Sequence, residues 1–285
     1  MSANINHRIA LGTVQFGLDY GISNAKGKTS LREVTEILDF ARDQQITLLD
    51  TAAAYGNSEE VIGQCTGADF QLVSKFIDAG DRKAVRTSLL TSLEKLKRQS
   101  LYAYLAHHAN SLIEHPVYWE ELLQLREDKL VKKIGYSLYT PAELEKLFQL
   151  NMIPDLIQIP FSLLDQRFAQ YFKLLKERSV EIHVRSAFLQ GLLLMDSKDL
   201  GAFFNPVKPV IEKLTVQFPS IEERAAALLL FCLQHAAIDK VVMGVNTKVQ
   251  LERNLTSLLK GAAVDKDFEI GEISEAILMP NQWPK

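Results

Sequence analysis

The feature that most constrains the fold of this chain is a repeated alternation of short apolar runs with longer amphipathic segments. Eight apolar runs have the length and composition of buried β-strands. They cover residues 9–13, 47–50, 71–75, 102–107, 133–137, 156–159, 181–186 and 240–244. Strands that alternate with helices form parallel sheets, because each helix returns the chain to the same edge.

Segments with helical periodicity complete eight strand–helix units. They cover residues 30–45, 58–64, 84–98, 118–128, 141–148, 165–178, 221–235 and 250–259. Ser30 is a predicted N-cap, with Glu33 three residues later. Eight units in 285 residues predict an α/β fold, a (β/α)8 TIM barrel, as a single domain over residues 1–285. The alternative is a doubly wound sheet, which has fewer strands, and no G-x-G-x-x-G motif follows the first run.

The composition argues against several classes of protein. A net charge of −3 gives no basic surface for nucleic acid, and no apolar run approaches the ~18 residues of a membrane span. The cysteines, Cys65 and Cys232, cannot form a disulfide framework, and without a Cys/His cluster we expect no metal site. The first residues lack a signal-peptide pattern, so we expect a cytoplasmic protein. Nothing in the sequence indicates an oligomeric state.

Four ionisable side chains fall at or just after the ends of successive strand-like runs. Asp50, Lys75 and His107 end the second, third and fourth runs, and Tyr55 follows Asp50 in a turn of small residues. The C-terminal ends of parallel barrel strands share one rim, where active sites are built. We therefore expect these side chains to lie close together.

The chemistry of this set is that of a general acid. A free phenol has a pKa of about 10, and a nearby ammonium lowers it. A carboxylate beside the ammonium keeps that group charged, so Asp50, Lys75 and Tyr55 together would form a tuned proton donor. A histidine beside the phenol could orient a carbonyl oxygen while a hydride reaches its carbon.

Taken one at a time, these residues have more common structural explanations. An aspartate at a strand end usually caps a turn, a tyrosine usually packs half-buried, and a lysine is usually solvated. Their occurrence together on one predicted rim favours a catalytic role over these structural ones. Because neighbouring strand residues point to opposite faces, only one of His107 and His108 should enter the barrel mouth.

Motifs along nearly the whole chain resemble those of the aldo-keto reductase family. They are L-G-T-V-Q-F-G (11–17), L-D-T-A-A-A-Y-G-N-S-E (49–59), Lys75, L-A-H-H (105–108), I-G-Y-S (134–137), D-L-I-Q-I-P-F-S-L-L-D (155–165), F-L-Q-G-L-L (188–193) and G-V-N-T-K-V-Q-L-E-R-N-L (244–255). The segment V-Q-F-G-L-D-Y-G-I-S-N further resembles a bacterial branch associated with surface-polysaccharide synthesis. The resemblance implies a (β/α)8 barrel, a nicotinamide cofactor and a catalytic tetrad of Asp50, Tyr55, Lys75 and His107, the histidine being the one that directly follows Y-L-A.

The resemblance also implies a set of cofactor contacts. Ser137 and Gln158 would bind the nicotinamide carboxamide, Gly191 would lie in the pyrophosphate loop, and Asn254 would face the adenine. The full set of implied contacts is Gly12, Thr13, Asp50, Ser137, Gln158, Arg185, Ser186, Gly191, Gly244, Asn246, Thr247, Gln250 and Asn254. Gly244, Asn246 and Thr247 begin the last helix, whose N–H groups suit an anion.

Three positions depart from the family pattern. Leu138 replaces an asparagine that often follows the serine, and Arg185 replaces an aromatic residue that stacks on the nicotinamide. Gln250 stands where many members have an arginine for the 2′-phosphate of NADPH. We expect NADPH with NADH as the alternative, because Lys248 and Arg253 flank Gln250 and supply positive potential.

The leading interpretation is an NAD(P)H-dependent reductase that acts on a small-molecule aldehyde or ketone, with Tyr55 as general acid. A regulatory subunit that binds the cofactor with little turnover is the alternative, and a Schiff-base aldolase using Lys75 is a third, which the neighbouring Asp50 opposes. Loops 16–28 and 189–220 should set specificity. The polar first loop hints at a sugar-like substrate, and Pro206, Pro209 and Pro219 predict that the second is an elaborated loop over the barrel mouth.

Overall fold

The chain folds as a closed barrel of eight parallel strands. The computed structural model describes residues 5–24, 26–67, 69–77, 80–265 and 267–284. Its strands are β1 (Ile9–Gly12), β2 (Leu48–Asp50), β3 (Gln71–Phe76), β4 (Leu101–Ala106), β5 (Val131–Ser137), β6 (Leu156–Pro160), β7 (Glu181–Arg185) and β8 (Lys240–Gly244). Each strand pairs with the next, and β8 closes the barrel on β1. The predicted TIM barrel is confirmed.

Helices surround the barrel. Within the described residues the α-helices are α1 (Val14–Gly17), α2 (Leu31–Asp43), α3 (Ser58–Cys65), α4 (Arg82–Leu96), α5 (Ala109–Glu114), α6 (Val117–Glu127), α7 (Pro141–Gln149), α8 (Phe172–Glu177), α9 (Lys208–Gln217), α10 (Ile221–Leu233), α11 (Lys248–Lys260) and α12 (Glu275–Leu278). None of the helices in the described part of the chain is long and apolar enough to cross a membrane.

Two predicted segments differ from the structure. The helix expected over 165–178 is reduced to α8, because Asp165 and Ser162 form a turn in which the Asp165 carboxylate binds the Arg167 guanidinium at 2.8 Å. The loop expected over 189–220 contains α9, which buries Ile211 and Leu214. Pro209 lies in the first turn of α9, where a proline costs no hydrogen bond.

The barrel interior is built in layers that follow the two-residue period of the strands. A buried apolar layer consists of Ala10, Leu48, Val73, Ala103, Leu105 and Leu156. Side chains two residues further along a strand lie on the same face. This period places Asp50, Lys75 and Gln158 directly above the apolar layer, at the C-terminal end of the barrel.

Candidate active site

A buried ion pair forms the floor of the site. The Lys75 ammonium donates to both carboxylate oxygens of Asp50, at 2.8 and 2.7 Å, and to the Thr51 carbonyl at 2.9 Å. Both charged side chains are almost fully buried. Burial lowers the pKa of Lys75, and the Asp50 carboxylate opposes this shift. Each charge is therefore stable in the barrel only because the other is present.

Gln158 completes the partners of the carboxylate from another strand. Its Nε2 donates to Asp50 Oδ1 at 2.7 Å. Gln158 was expected to bind the nicotinamide carboxamide. Because its Nε2 donates to Asp50, the amide oxygen of Gln158 remains to bind other groups. Ser137, at the end of β5, lies beside Gln158 in the sheet register and is also buried.

The turn that carries Tyr55 is held by two glycines. A Cβ atom on Gly17 would lie 1.8 Å from the Tyr55 carbonyl oxygen. Gly56 has a φ of +57°, and a Cβ atom there would lie 2.5 Å from the Gly17 carbonyl oxygen. The end of α1 therefore packs directly on the backbone of this turn, and only glycine fits at the two contact positions. The role of both glycines could not be predicted from the sequence, because it depends on a contact between α1 and this turn.

Tyr55 lies over the ion pair and beside His107. The Lys75 Nζ atom is 5.2 Å from the centre of the Tyr55 ring, and the Tyr55 and His107 ring centres are 5.6 Å apart in an edge-to-face arrangement. The structure therefore brings the four predicted catalytic side chains together at one end of the barrel.

The protonation of Tyr55 differs from the expectation that Lys75 lowers its pKa. Burial raises the pKa of Tyr55, and the Asp50 carboxylate raises it further, while the Arg185 guanidinium acts in the opposite direction. The charge of Lys75 is neutralised by Asp50 at hydrogen-bond distance, so it does little to stabilise a phenolate. The phenol is protonated at neutral pH, which is the form that a proton donor requires.

The two histidines after β4 do not point to opposite faces. Because β4 ends at Ala106, the alternation of a strand no longer applies, and the His107 and His108 rings stack at 5.0 Å with an interplanar angle of 17°. Burial, together with the nearby Lys75, lowers the pKa of His107 to about 3. His107 is therefore neutral at physiological pH, and its buried Nδ1 has no hydrogen-bond partner among the described residues.

Arg185 and Tyr139 form one wall of the site. The Arg185 guanidinium lies 4.4 Å from the centre of the Tyr139 ring and donates to the Leu138 carbonyl at 3.0 Å. None of the ion pairs found among the described residues involves Arg185. The guanidinium thus gives the site a positive charge near Tyr55. Ser186, the next residue, has a φ of +68°.

A cavity opens above Tyr55 and runs towards the start of α11. The predicted site residues that line it are Gly12, Thr13, Asp50, Tyr55, Gln158, Arg185, Ser186, Gly191, Gly244, Asn246 and Gln250. We call it the main cavity. Thr247 and Asn254 instead line a second cavity, which shares Leu194 and Gln250 with the main one.

Several features of the main cavity suit a nucleotide cofactor. Within the part of the chain that the structure describes, Gln15 Oε1 and Asn246 Nδ2 are buried without a hydrogen-bond partner, and polar atoms in that state need a ligand or water. A Cβ atom on Gly244 would lie 2.7 Å from Gln15 Nε2, so the glycine keeps this surface open. The residues present therefore fit a bound dinucleotide. Thr13 differs from the expectation in one respect, because its hydroxyl donates to the Asp50 carbonyl at 2.9 Å.

Two loops meet over the main cavity. The loop after β1 contacts the loop after β7, and a Cβ atom on Gly191 would lie 1.9 Å from Ser23 Oγ. Asn24 holds the first loop in shape by donating to the Tyr20 and Gly27 carbonyls. Tyr20 lines the cavity, and burial raises its pKa to about 12. The polarity of this loop, which is its only sequence signal, does not indicate that Tyr20 lines the cavity.

No arrangement for a metal ion accompanies these groups. In the described residues, no group of three or more His, Cys, Asp and Glu side chains is placed to hold a metal. The polar groups around the main cavity are hydrogen-bond donors and acceptors, with one buried ion pair and one further cation.

Comparisons with known proteins agree with this geometry. The sequence model of the Aldo/keto reductase family matches residues 8–275. The methylglyoxal reductase DkgA of Escherichia coli is 30% identical over 141 residues, which span 48% of this chain and 50% of that protein. The matched region thus covers about half the length of that relative. An uncharacterised oxidoreductase of Bacillus subtilis, YqkF, is 26% identical over 277 residues, with 86% of this chain and 89% of that protein covered.

Solved structures show the same fold. The holo form of the aldo-keto reductase AKR11C1 from Bacillus halodurans aligns with a TM-score of 0.71 at 19% identity, covering 90% of this chain and 88% of that one. The glycerol dehydrogenase AKR11B4 from Gluconobacter oxydans aligns with a TM-score of 0.67 at 18% identity, covering 91% and 88%. With the family match over nearly its whole length, and the predicted tetrad gathered at the mouth of the barrel, the chain belongs to the aldo/keto reductase family.

Proposed function

We propose that this protein reduces an aldehyde or ketone to an alcohol with a nicotinamide cofactor, and that Tyr55 is the general acid. The observation that carries the proposal is the buried Asp50–Lys75 pair beneath Tyr55, at one end of a cavity suited to a dinucleotide. The proposed reaction does not need a metal ion, because a proton donor and a hydride donor together complete a carbonyl reduction.

The residues of this chain each have a defined task in the proposed reaction. A nicotinamide cofactor, when bound in the main cavity, would supply the hydride. Tyr55 donates its phenolic proton to the carbonyl oxygen, and neutral His107 provides a hydrogen bond that orients this oxygen. The Arg185 guanidinium stabilises the phenolate left on Tyr55, while the Asp50–Lys75 pair forms a fixed floor beneath the ring.

We infer a small, polar substrate. Tyr20, Asn24 and Gln190 give the main cavity a polar entrance, and the related DkgA protein is a methylglyoxal reductase. A sugar-like aldehyde or a short oxo compound fits this surface. The resemblance favours NADPH over NADH, but Gln250 carries no charge, so this preference depends on the groups around the start of α11.

Turnover of a carbonyl panel tests the proposal. Methylglyoxal, glyceraldehyde and aldose sugars are mixed with each reduced cofactor, and cofactor oxidation is followed at the nicotinamide absorbance band. We expect oxidation with at least one polar carbonyl and formation of the matching alcohol. Tight cofactor binding without oxidation by any compound would favour the regulatory subunit instead. Borohydride trapping of a substrate on Lys75 would support the aldolase, and we expect no such adduct.

A further inference from the structure

The second cavity is where the far end of a dinucleotide would lie. It adjoins the main cavity at Leu194 and Gln250 and contains the first turn of α11. A dinucleotide with its nicotinamide near Tyr55 extends along the main cavity, past the unpartnered Gln15 and Asn246 atoms. Its adenosine ribose then lies beside the start of α11. This placement rests on the proposed function.

A glutamate from another helix already occupies the start of α11. The Glu33 carboxylate accepts a hydrogen bond from the Lys248 backbone N–H at 2.6 Å. The Ser30 hydroxyl caps α2 by accepting a hydrogen bond from the Glu33 backbone N–H. The backbone of Glu33 thus belongs to the cap of α2, while its side chain caps α11. A negative group therefore takes the position at which a helix N-terminus would otherwise bind a phosphate.

The neighbouring groups do not restore an anion site. The side-chain amide oxygen of Gln250, Oε1, accepts a hydrogen bond from the Asn246 backbone N–H at 2.8 Å, so this side chain folds back onto its own turn. Arg253 pairs with Glu222 at 3.1 Å. The Lys248 ammonium lies 5.7 Å from the centre of the Phe40 ring on α2. Both cations that were expected to attract the 2′-phosphate line the second cavity, but each already faces a partner there: Glu222 for Arg253 and the Phe40 ring for Lys248.

One further cation lines the second cavity. Lys26 lies at an exposed position of the loop after β1. An exposed lysine contributes little to a specific charge interaction, because water and salt screen it. Glu33, in contrast, is fixed by a short hydrogen bond at the point where the 2′-phosphate would lie.

We propose that Glu33 makes this enzyme select NADH over NADPH. A carboxylate at this position can accept a hydrogen bond from the ribose 2′-hydroxyl of NADH, and the same carboxylate repels a 2′-phosphate. An acidic side chain does this in many dinucleotide folds. The assignment reverses the preference expected from the family resemblance, and its cause is the charge at the start of α11.

Dissociation constants for both reduced cofactors, measured by fluorescence titration of the full-length protein, test the proposal. We expect the wild type to bind NADH at least about tenfold more tightly than NADPH, since a carboxylate and a nearly doubly charged phosphate ~5 Å apart in water repel by about that factor. Glu33→Gln should shift the ratio of the two constants by about tenfold towards NADPH. Glu33→Gln/Gln250→Arg should shift it further, because the new guanidinium can bind the phosphate directly.

Asp39→Asn is the matched control. It removes a negative charge from the same helix, at a carboxylate that pairs with Arg42 at 2.8 Å outside the residues that line the second cavity. We expect it to change the ratio by less than about threefold, as is usual for an exposed charge. Tighter binding of NADPH by the wild type, or equal effects of Glu33→Gln and Asp39→Asn, would overturn the role of Glu33 alone. Binding of neither cofactor would overturn the proposed function with it.

Discussion

The Asp50 and Lys75 side chains depend on each other for their charged state. Their ion pair is almost fully buried, with the Gln158 amide and the Thr51 carbonyl as further partners. A buried charge without its partner is far more costly than the pair itself is stabilising. The two residues should therefore behave as one unit in stability measurements, whatever their part in catalysis.

Lys75→Met should destabilise the fold by about 3–5 kcal/mol, because it leaves the Asp50 carboxylate buried and unpaired. Asp50→Asn/Lys75→Met removes both charges, and the new amide can still accept from Gln158. The double variant should therefore lose less than the sum of its single substitutions, by at least ~2 kcal/mol. Urea unfolding at pH 7 measures the three free energies. Additive losses would show that the two side chains are not coupled.

His107 should affect stability in acid. Because burial lowers its pKa to about 3, the native state keeps the ring neutral. The unfolded chain takes up a proton below about pH 6.5. The unfolded state then binds more protons, so this residue's contribution to stability is present above pH 6.5 and is lost as the pH falls towards 3.

His107→Gln removes this titration. The unfolding free energy of the variant, relative to that of the wild type, should rise by about 1–2 kcal/mol as the pH falls from 7 to 5, because only the wild type loses stability through this residue. Denaturant unfolding at the two pH values gives this difference directly, and the change common to both proteins cancels. A gap between variant and wild type that does not vary with pH would mean that the native histidine titrates normally.

At the scale of elements, the position of Tyr55 is set by the packing of α1 against the turn before α3. The approach is so close that the Gly17 position has no room for a side chain. Ser58, the first residue of α3, strengthens the junction by donating to the Thr13 carbonyl at 2.8 Å. A local backbone contact thus determines where the phenol lies above the ion pair.

Gly17→Ala should move this turn. The added methyl group would overlap the Tyr55 carbonyl, and overpacking of this kind costs about 1–3 kcal/mol. Catalytic turnover should fall with the stability, because the phenol is displaced. Gly201→Ala is the control, since a Cβ atom there meets nothing within 4 Å. We expect it to change unfolding by less than about 0.5 kcal/mol. Equal unfolding free energies and equal turnover rates in the two variants would show that the contact at Gly17 does not position the turn.

The sequence predicts elements well where one local signal dominates. The strands follow from apolar runs bounded by polar residues, and Ser30 was correctly identified as the cap of α2. The helix predicted over residues 165–178 was wrong in its first part, because the turn in which Asp165 binds Arg167 outweighs the helical pattern there. The contact between Glu33 and Lys248 joins residues that are distant in sequence. No local pattern indicates that this carboxylate leaves its own helix.

At the scale of the whole molecule, the closed barrel places the C-terminal ends of all its strands at one rim, so residues far apart in sequence lie close together. Asp50, Lys75 and Gln158 come from β2, β3 and β6, and each lies two residues beyond the apolar layer of its strand. The sequence alone therefore predicts that the parallel strands bring these three side chains together. The raised pKa of Tyr55 and the stacked histidines could not, because both depend on burial and on loop geometry after the strands have ended.

The rate of cofactor oxidation in a single turnover tests the central claim most directly. Enzyme loaded with reduced cofactor is mixed rapidly with the best substrate of the carbonyl panel, and the decay of cofactor fluorescence is recorded. Tyr55→Phe should slow this decay by at least ~10²-fold, because it removes the donated proton, and should leave the cofactor dissociation constant nearly unchanged. Tyr171→Phe, which removes a hydroxyl from the outside of the barrel, should decay at the wild-type rate. A Tyr55→Phe protein that oxidises its cofactor as fast as the wild type would contradict the account.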